Sequence, residues 1–229
     1  MFYQDQSQLY RCTLLDSLDW LEHGFGTRHS GVWVSGPLAT LRQVHSDRVL
    51  YADGHAGIIG EGDALFSDQP GLMLGVWTAD CVPLLLADPA RKAVAAVHCG
   101  WRGAVRSLVL RVIGEMERRL GSRPADLIAA IGPSICGACY RVGPEVARQF
   151  QSLFPERADL DGATTINLAE ACQRQLLAAG LQRDNIAMSG LCTYCRPQEF
   201  FSYRRGHQGA ARMLSAIGLR SKNTKGAGS

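Results

Sequence analysis

Between residues 72 and 98 the chain strings together three apolar runs, 72–77, 83–87 and 93–98. Short segments divide them, the first containing Thr78-Ala79-Asp80-Cys81 and the second the turn signal Asp88-Pro89. The longest apolar stretch, 72–87, contains Asp80 and Pro83 and falls short of the roughly 20 residues of a membrane span. Buried strands account for it better. Runs of the same character at 48–52, 127–131 and 186–191 predict further strands. Gly60-Glu61-Gly62-Asp63 marks a turn, and Gly132-Pro133 ends the 127–131 strand.

Other segments carry the helical period. From 103 to 120 the apolar positions Val105, Leu108, Val109, Val112, Ile113 and Met116 recur at helical spacing, and Gly121 offers a left-handed stop. Pro144 suits the first turn of a helix running to about Phe154. Asn167 and Glu170 form a capping-box pattern at the start of a helix that stops at Gly180. A Cys-rich turn and a short helix near 210–217 follow, then a polar, Gly-containing tail, 221–229, expected to be disordered. With no internal repeat and no Pro-, Gly- or Ser-rich linker, residues 1–220 read as a single domain of α/β (α+β) class.

Bulk properties narrow the function. A chain of 229 residues, 46% hydrophobic and 20% charged, can bury a substantial core. A formal charge of +3 without dense Lys/Arg blocks argues against nucleic acid as the main partner. The first nine residues carry polar Gln and Asp where a secretory signal needs a basic start and an apolar run. A soluble cytoplasmic protein is expected, and in that reducing compartment eight cysteines point to buried thiols, a metal site or a nucleophile rather than disulfides.

Two histidines and a cysteine match the three-ligand donor set of an open zinc site. His45 stands at the start of a predicted strand in Gln43-Val44-His45, Cys81 at a strand end, and His98 at the end of the 93–98 run. Asp80 is placed to accept from a ligand histidine or to carry a proton. Because these residues lack the short ligand spacing of zinc fingers, spacing alone leaves the set open. One alternative makes Cys81 a nucleophile with His98 as its base, a metal-free cysteine hydrolase. Another assigns structural zinc to the two CxxC pairs, Cys136/Cys139 and Cys192/Cys195, although the stretch between them is longer than in a zinc ribbon. Trp101 and the pair Phe200-Phe201 are candidates for stacking on a ligand, or for core.

Several segments occur together in order: GFGTRHSGV from Gly24, LRQVHSDRV from Leu41, GDALFSDQPGLMLGVWTADCVPLLLADP from Gly62, AAVHCGWRG from Ala95, IGPSICGACYRVGPEV from Ile131 and GLCTYCRPQEFFSYRR from Gly190. On these motifs, over roughly residues 20–219, the chain resembles the YfiH family. That family was labelled a multicopper polyphenol oxidase or laccase-domain family and is understood as purine nucleoside phosphorylases with deaminase activity. The resemblance implies a YfiH-like fold of layered mixed β-sheets flanked by helices. It implies zinc, or copper, on His45, Cys81 and His98, with Asp80 beside them in the catalytic set. Arg28, Gln43, Asp63 and Arg102 become candidates for holding substrate and phosphate. The implied activity is phosphorolysis of adenosine, inosine, guanosine and methylthioadenosine, with deamination of adenosine to inosine. Its partners would be small molecules, with no nucleic acid and no membrane, and the chain a monomer or homodimer. A complete multicopper site would need many more histidines than the six present.

The chain also departs from the family pattern. The segment between Gly31 and Leu41 is short, Cys99 replaces the usual alanine, Arg141 replaces a glutamate, and Ala210-Ala211-Arg212 loosely replaces a TGR motif. These departures bear on substrate range more than on metal binding.

Overall fold

A computed structural model describes residues 1–34, 36–206 and 211–221. Two mixed sheets stack face to face, and helices cover the free face of the second. The first sheet has the order β1 (Phe2–Gln4), β2 (Tyr10–Cys12), β3 (Leu21–Phe25), β15 (Met213–Leu219), β8 (Met73–Thr78), β4 (Leu38–Arg42) and β6 (Gly57–Glu61). The second runs β14 (Ile186–Met188), β11 (Ile128–Ile131), β9 (Val82–Asp88), β10 (Ala93–Cys99), β7 (Ala64–Ser67) and β5 (Val49–Tyr51). A two-stranded ribbon pairs β12 (Arg141–Val142) with β13 (Thr164–Thr165).

The middle-layer position of the second sheet explains its unbroken apolar sequence. Side chains alternate across a strand, so Leu85, Ala87, Val94 and Ala96 meet Phe25, Leu74, Val76 and Ile217 of the first sheet. Leu84, Leu86, Ala95 and Val97 turn the other way, toward α3 (Leu108–Leu120) and α5 (Leu168–Ala178). Neither face of β9 or β10 meets water.

Several expectations need correction. The 103–120 helix is two: α2 (Trp101–Val105) ends at Arg106, and Ser107, at φ 61°, turns the chain into α3. Gly121, at φ 70°, stops α3 as expected. The helix opened by Pro144 lasts one turn, α4 (Pro144–Ala147), before a single 3-10 turn at Arg148–Phe150. Gly60 and Glu61 extend β6 rather than turning, and β14 ends at Met188. Asn167 accepts from the Glu170 amide, but the Glu170 carboxylate pairs with Arg174, so half of the capping box forms.

The largest correction concerns the helix expected near 210–217. Residues 213–219 form β15, in the interior of the first sheet. Its outer face is covered by Trp33, Val34 and Trp77 around Leu214 and Ala216, so every residue of the strand is buried. A short run buried on both faces loses the alternation that separates strand from helix. Residue 210 and tail residues 222–229 lie outside the described residues.

Candidate metal centre and active site

Two loops leave the first sheet for the second at the same end of the molecule. One joins β4 to β5 and carries His45; the other joins β8 to β9 and carries Asp80 and Cys81. In the antiparallel pairing of β10 with β9, His98 lies opposite Pro83, next to the entry of Cys81 into the sheet. Register therefore assembles three residues that are distant in sequence. Their ligand atoms lie within 4.8 Å of one another. Cys81 Sγ is 3.9 Å from His45 Nε2, and the two imidazoles meet edge-on with centroids 4.9 Å apart. His45 sits in the loop rather than in a strand, at φ 57°, and Asp80 holds φ 85°. Left-handed backbone at such residues is uncommon and concentrates at functional sites. Gly100 completes the cradle, because a Cβ there would meet Cys81 Sγ at 3.0 Å and His45 Cδ2 at 3.1 Å.

The carboxylate that orients this centre is Asp63, not Asp80. Fully buried Asp63 accepts from His98 Nδ1 at 2.8 Å, from the His45 amide at 3.0 Å and from the Ser46 hydroxyl at 2.7 Å. The same residue fixes the His98 ring and folds the His45 loop, leaving His98 Nε2 for the centre. Asp80 instead bonds to Thr193 Oγ1 at 2.6 Å, Ser202 Oγ at 3.0 Å and the Arg204 amide at 2.7 Å. It ties the C-terminal segment to the cavity rather than acting as acceptor for a ligand histidine.

Electrostatics favour a cation here. Burial alone would raise the Cys81 thiol, but the His98 charge and hydrogen bonds from His45 and His98 outweigh it and hold the group at about 6. For His98, burial opposes the imidazolium, yet Cys81 and Asp63 push it up to about 10. Asp63 feels the same opposition from burial and is brought down to about 2 by its bonds to His98 and Ser46. The field that retains a proton between a thiolate and a carboxylate also suits a divalent ion, whose binding displaces that proton. Two nitrogens and one sulfur match the donor set of zinc sites that keep a position open.

The open side faces a cavity of about 650 Å³, within the range of small-molecule sites. Its wall includes Gln43, Trp77, Trp101, Arg102, Tyr140 and Arg204. Gln43 spends its amide on the backbone of Trp77, donating at 2.8 Å and accepting at 2.8 Å, so it shapes the wall. Arg102 stacks over Trp101 at 4.5 Å and Arg204 over Tyr140 at 5.1 Å. Arg28 is not among the lining residues: it donates to the Pro197 carbonyl and stacks on Phe201 at 5.1 Å. Phe200 is core, and Trp101 alone of the stacking candidates reaches the cavity. Tyr140, Tyr203, Arg204 and Arg212 are not among the sequence-predicted site residues, although IGPSICGACYRVGPEV contains the first, GLCTYCRPQEFFSYRR the next two, and Arg212 ends the Ala210-Ala211-Arg212 element. Among the described residues, no helix is long and apolar enough to cross a membrane.

Fold and site together define a two-sheet α/β protein whose loops and strand ends bring His45, Cys81 and His98 together, a group that could hold a metal, at an open cavity. Residues 26–220 match the family model described as multi-copper polyphenol oxidoreductase laccase. The chain belongs to that family, the YfiH family. It is 40% identical over 183 residues to a purine nucleoside phosphorylase of Deinococcus radiodurans, covering 79% of this chain and 70% of that one. It is 37% identical over 195 residues to adenosine deaminase RL5 of an unknown prokaryotic organism, covering 79% and 74%. With the purine nucleoside phosphorylase YlmD of Bacillus subtilis the identity is 36% over 164 residues, 69% of this chain and only 59% of that protein. The crystal structure of the Bacillus licheniformis hypothetical protein YfiH superposes with a TM-score of 0.85 at 28% identity, covering 96% of this chain and 99% of the other.

Proposed function

We propose that the chain is a zinc-dependent purine nucleoside enzyme that phosphorolyses adenosine, inosine, guanosine and methylthioadenosine and deaminates adenosine to inosine. The observation that carries this reading is the convergence of His45, Cys81 and His98 on the wall of a cavity that also presents Arg102 and Arg204. The names of the phosphorylase and deaminase relatives support the substrate class. The catalytic unit comprises residues 1–220 and works in the cytoplasm as a monomer or homodimer.

Zinc held by His45, Cys81 and His98 would supply Lewis-acid activation of water at neutral pH, the chemistry that deamination of a purine requires. The chain's own residues do the rest. In phosphorolysis a phosphate oxygen bonds to the anomeric carbon as the bond to the purine nitrogen breaks, and the electron pair and a proton end on the base. Arg102 and Arg204 are the cations at the cavity wall to hold the phosphate, and Arg28 is not. Tyr140 is pushed up to about 12 by burial and by the charge of Cys81, so its hydroxyl keeps its proton and can donate to the departing base. Trp77 and Trp101 offer apolar faces for the purine. Asp63 keeps the His98 ring oriented throughout.

The test incubates purified protein with adenosine, with and without phosphate, and identifies the products. Adenine and ribose 1-phosphate should form only with phosphate, and inosine in either condition. Unchanged adenosine under both conditions would overturn the reading.

A further inference from the structure

The two CxxC pairs, expected as an alternative to the His45–Cys81–His98 centre, form a second cluster beside it. Ser134 and Cys192 make a parallel bridge, with the Ser134 amide on the Leu191 carbonyl at 3.1 Å and the Thr193 amide on the Ser134 carbonyl at 3.1 Å. That register brings the turn after β11 against the segment after β14. The sulfurs of Cys136, Cys139, Cys192 and Cys195 then lie within 4.8 Å of one another, Cys139 and Cys195 at 3.4 Å. A tetrahedral zinc with Zn–S of ~2.3 Å needs sulfurs roughly 3.8 Å apart. Small side-chain adjustments inside this cluster reach that spacing.

Two more features favour metal over four unrelated thiols. The Cys136 amide donates to Cys192 Sγ at 3.3 Å, an arrangement that stabilises a thiolate. Arg205 places its guanidinium on the carbonyls of Thr193 and Tyr194, the two residues between Cys192 and Cys195, at 2.8 and 2.7 Å. It brings positive charge to a loop that would carry the negative charge of a tetrathiolate. Four protein ligands leave no position for a reactant, which is the pattern of a structural site.

We propose that Cys136, Cys139, Cys192 and Cys195 bind a second divalent metal of the zinc class, structural in role and independent of the His45–Cys81–His98 centre. Its location gives it a task. Ile135, just before the first pair, donates its amide to the Asp80 carbonyl at 3.0 Å, and Thr193, inside the second pair, holds the Asp80 carboxylate at 2.6 Å. The metal clamps together the two segments that position Asp80, and with it the loop leading to Cys81.

The decisive experiment purifies full-length Cys81→Ser protein, under reducing conditions, from cobalt-supplemented, zinc-limited cells. The expected result is one equivalent of cobalt with the intense visible absorption of a tetrahedral tetrathiolate, bleached by added zinc. Cys136, Cys139, Cys192 and Cys195 should resist alkylation until the metal is chelated, while the wild-type chain carries two equivalents. In the otherwise wild-type chain, Cys139→Ser/Cys195→Ser should abolish the tetrathiolate absorption and leave one equivalent. If that variant does not fold, alkylation protection in the Cys81→Ser protein decides. Cobalt-free Cys81→Ser protein, or four thiols that alkylate as fast with metal as without, would overturn the proposal, as would a metal-free Cys139–Cys195 disulfide in the reduced preparation. The result is independent of nucleoside turnover, so failure of the enzymatic reading would leave it standing.

Discussion

The two clusters around Asp80 use cysteine in opposite ways. In the His45–Cys81–His98 centre a single cysteine shares the site with two imidazoles, Asp63 fixes the His98 ring and the His45 loop, and a cavity of about 650 Å³ opens on the remaining side. In the Cys136–Cys139–Cys192–Cys195 cluster four thiols close on themselves in two turns, from buried Cys192 to exposed Cys195, and among the described residues no carboxylate bonds to them. Donor count and access, rather than the presence of cysteine, separate a centre that can react from one that can only hold. Asp80 is their shared neighbour: its carbonyl accepts from the Ile135 amide beside one CxxC pair, its carboxylate accepts from Thr193 inside the other, and it leads into Cys81.

The contrast breaks most sharply at His45. This histidine lies in an exposed loop, so His45→Asn, which tolerates φ 57°, removes an imidazole without emptying the core. Nucleoside turnover should fall on the order of 10³-fold, with loss of one metal and retention of the other. Steady-state assays with metal analysis on the same sample check this. If turnover persists with one metal fewer, the two clusters have been assigned the wrong way round.

A buried histidine outside both clusters sets the baseline for what burial alone does. His23 on β3 accepts from the Cys12 amide at 2.9 Å, and burial brings its pKa down to about 4 against the attraction of Asp16. The unfolded chain therefore binds a proton that the folded one refuses. Stability should fall as pH drops from about 6.5 toward 4, by roughly 3 kcal/mol across that window, and be fully present above it. Denaturant titrations at several pH values, with His23→Gln for comparison, measure the slope. An equal slope in the variant would remove His23 from the account. His98, buried as deeply but flanked by Cys81 and Asp63, shifts the other way.

Asp63→Asn keeps the shape but weakens the hold on His98 and on the His45 loop, and metal affinity at the mixed centre should drop about 10–100-fold. The four-cysteine cluster should be unaffected. Competition with a chromogenic chelator reads both affinities. A smaller effect is expected from Gly100→Ala, whose added Cβ presses on Cys81 and His45 at 3.0–3.1 Å; affinity should fall by roughly tenfold or less, near 1 kcal/mol. No change would mean that the cradle yields freely.

Much of this was legible in the chain, and the failures have physical causes. β9 and β10 were readable as strands because a middle layer permits no polar face, whereas the same two-sided burial disguised β15 as a helix. Motifs singled out His45, Cys81 and His98 where spacing could not, since their meeting depends on two sheet-switching loops and the β9–β10 register. Register also decided between the two aspartates. Asp63 enters β7 beside the end of β10, and its carbonyl takes the His98 amide at 2.7 Å, while Asp80 points to the C-terminal segment. Arg28 lost its place to Arg204 for a related reason, because the contact between Arg28 and the segment at Pro197 and Phe201 is made only in three dimensions.

Metal content, Cys81 labelling and adenosine turnover, followed on one sample, show whether the His45–Cys81–His98 centre works through a metal. Protein stripped of metal by chelation should lose conversion of adenosine to inosine, expose Cys81 to a thiol-specific label, and regain both activity and protection when one equivalent of zinc is restored to the mixed centre. Metal-free protein that still turns over adenosine, and is inactivated as the label traps Cys81, would contradict the account and make that cysteine a nucleophile instead.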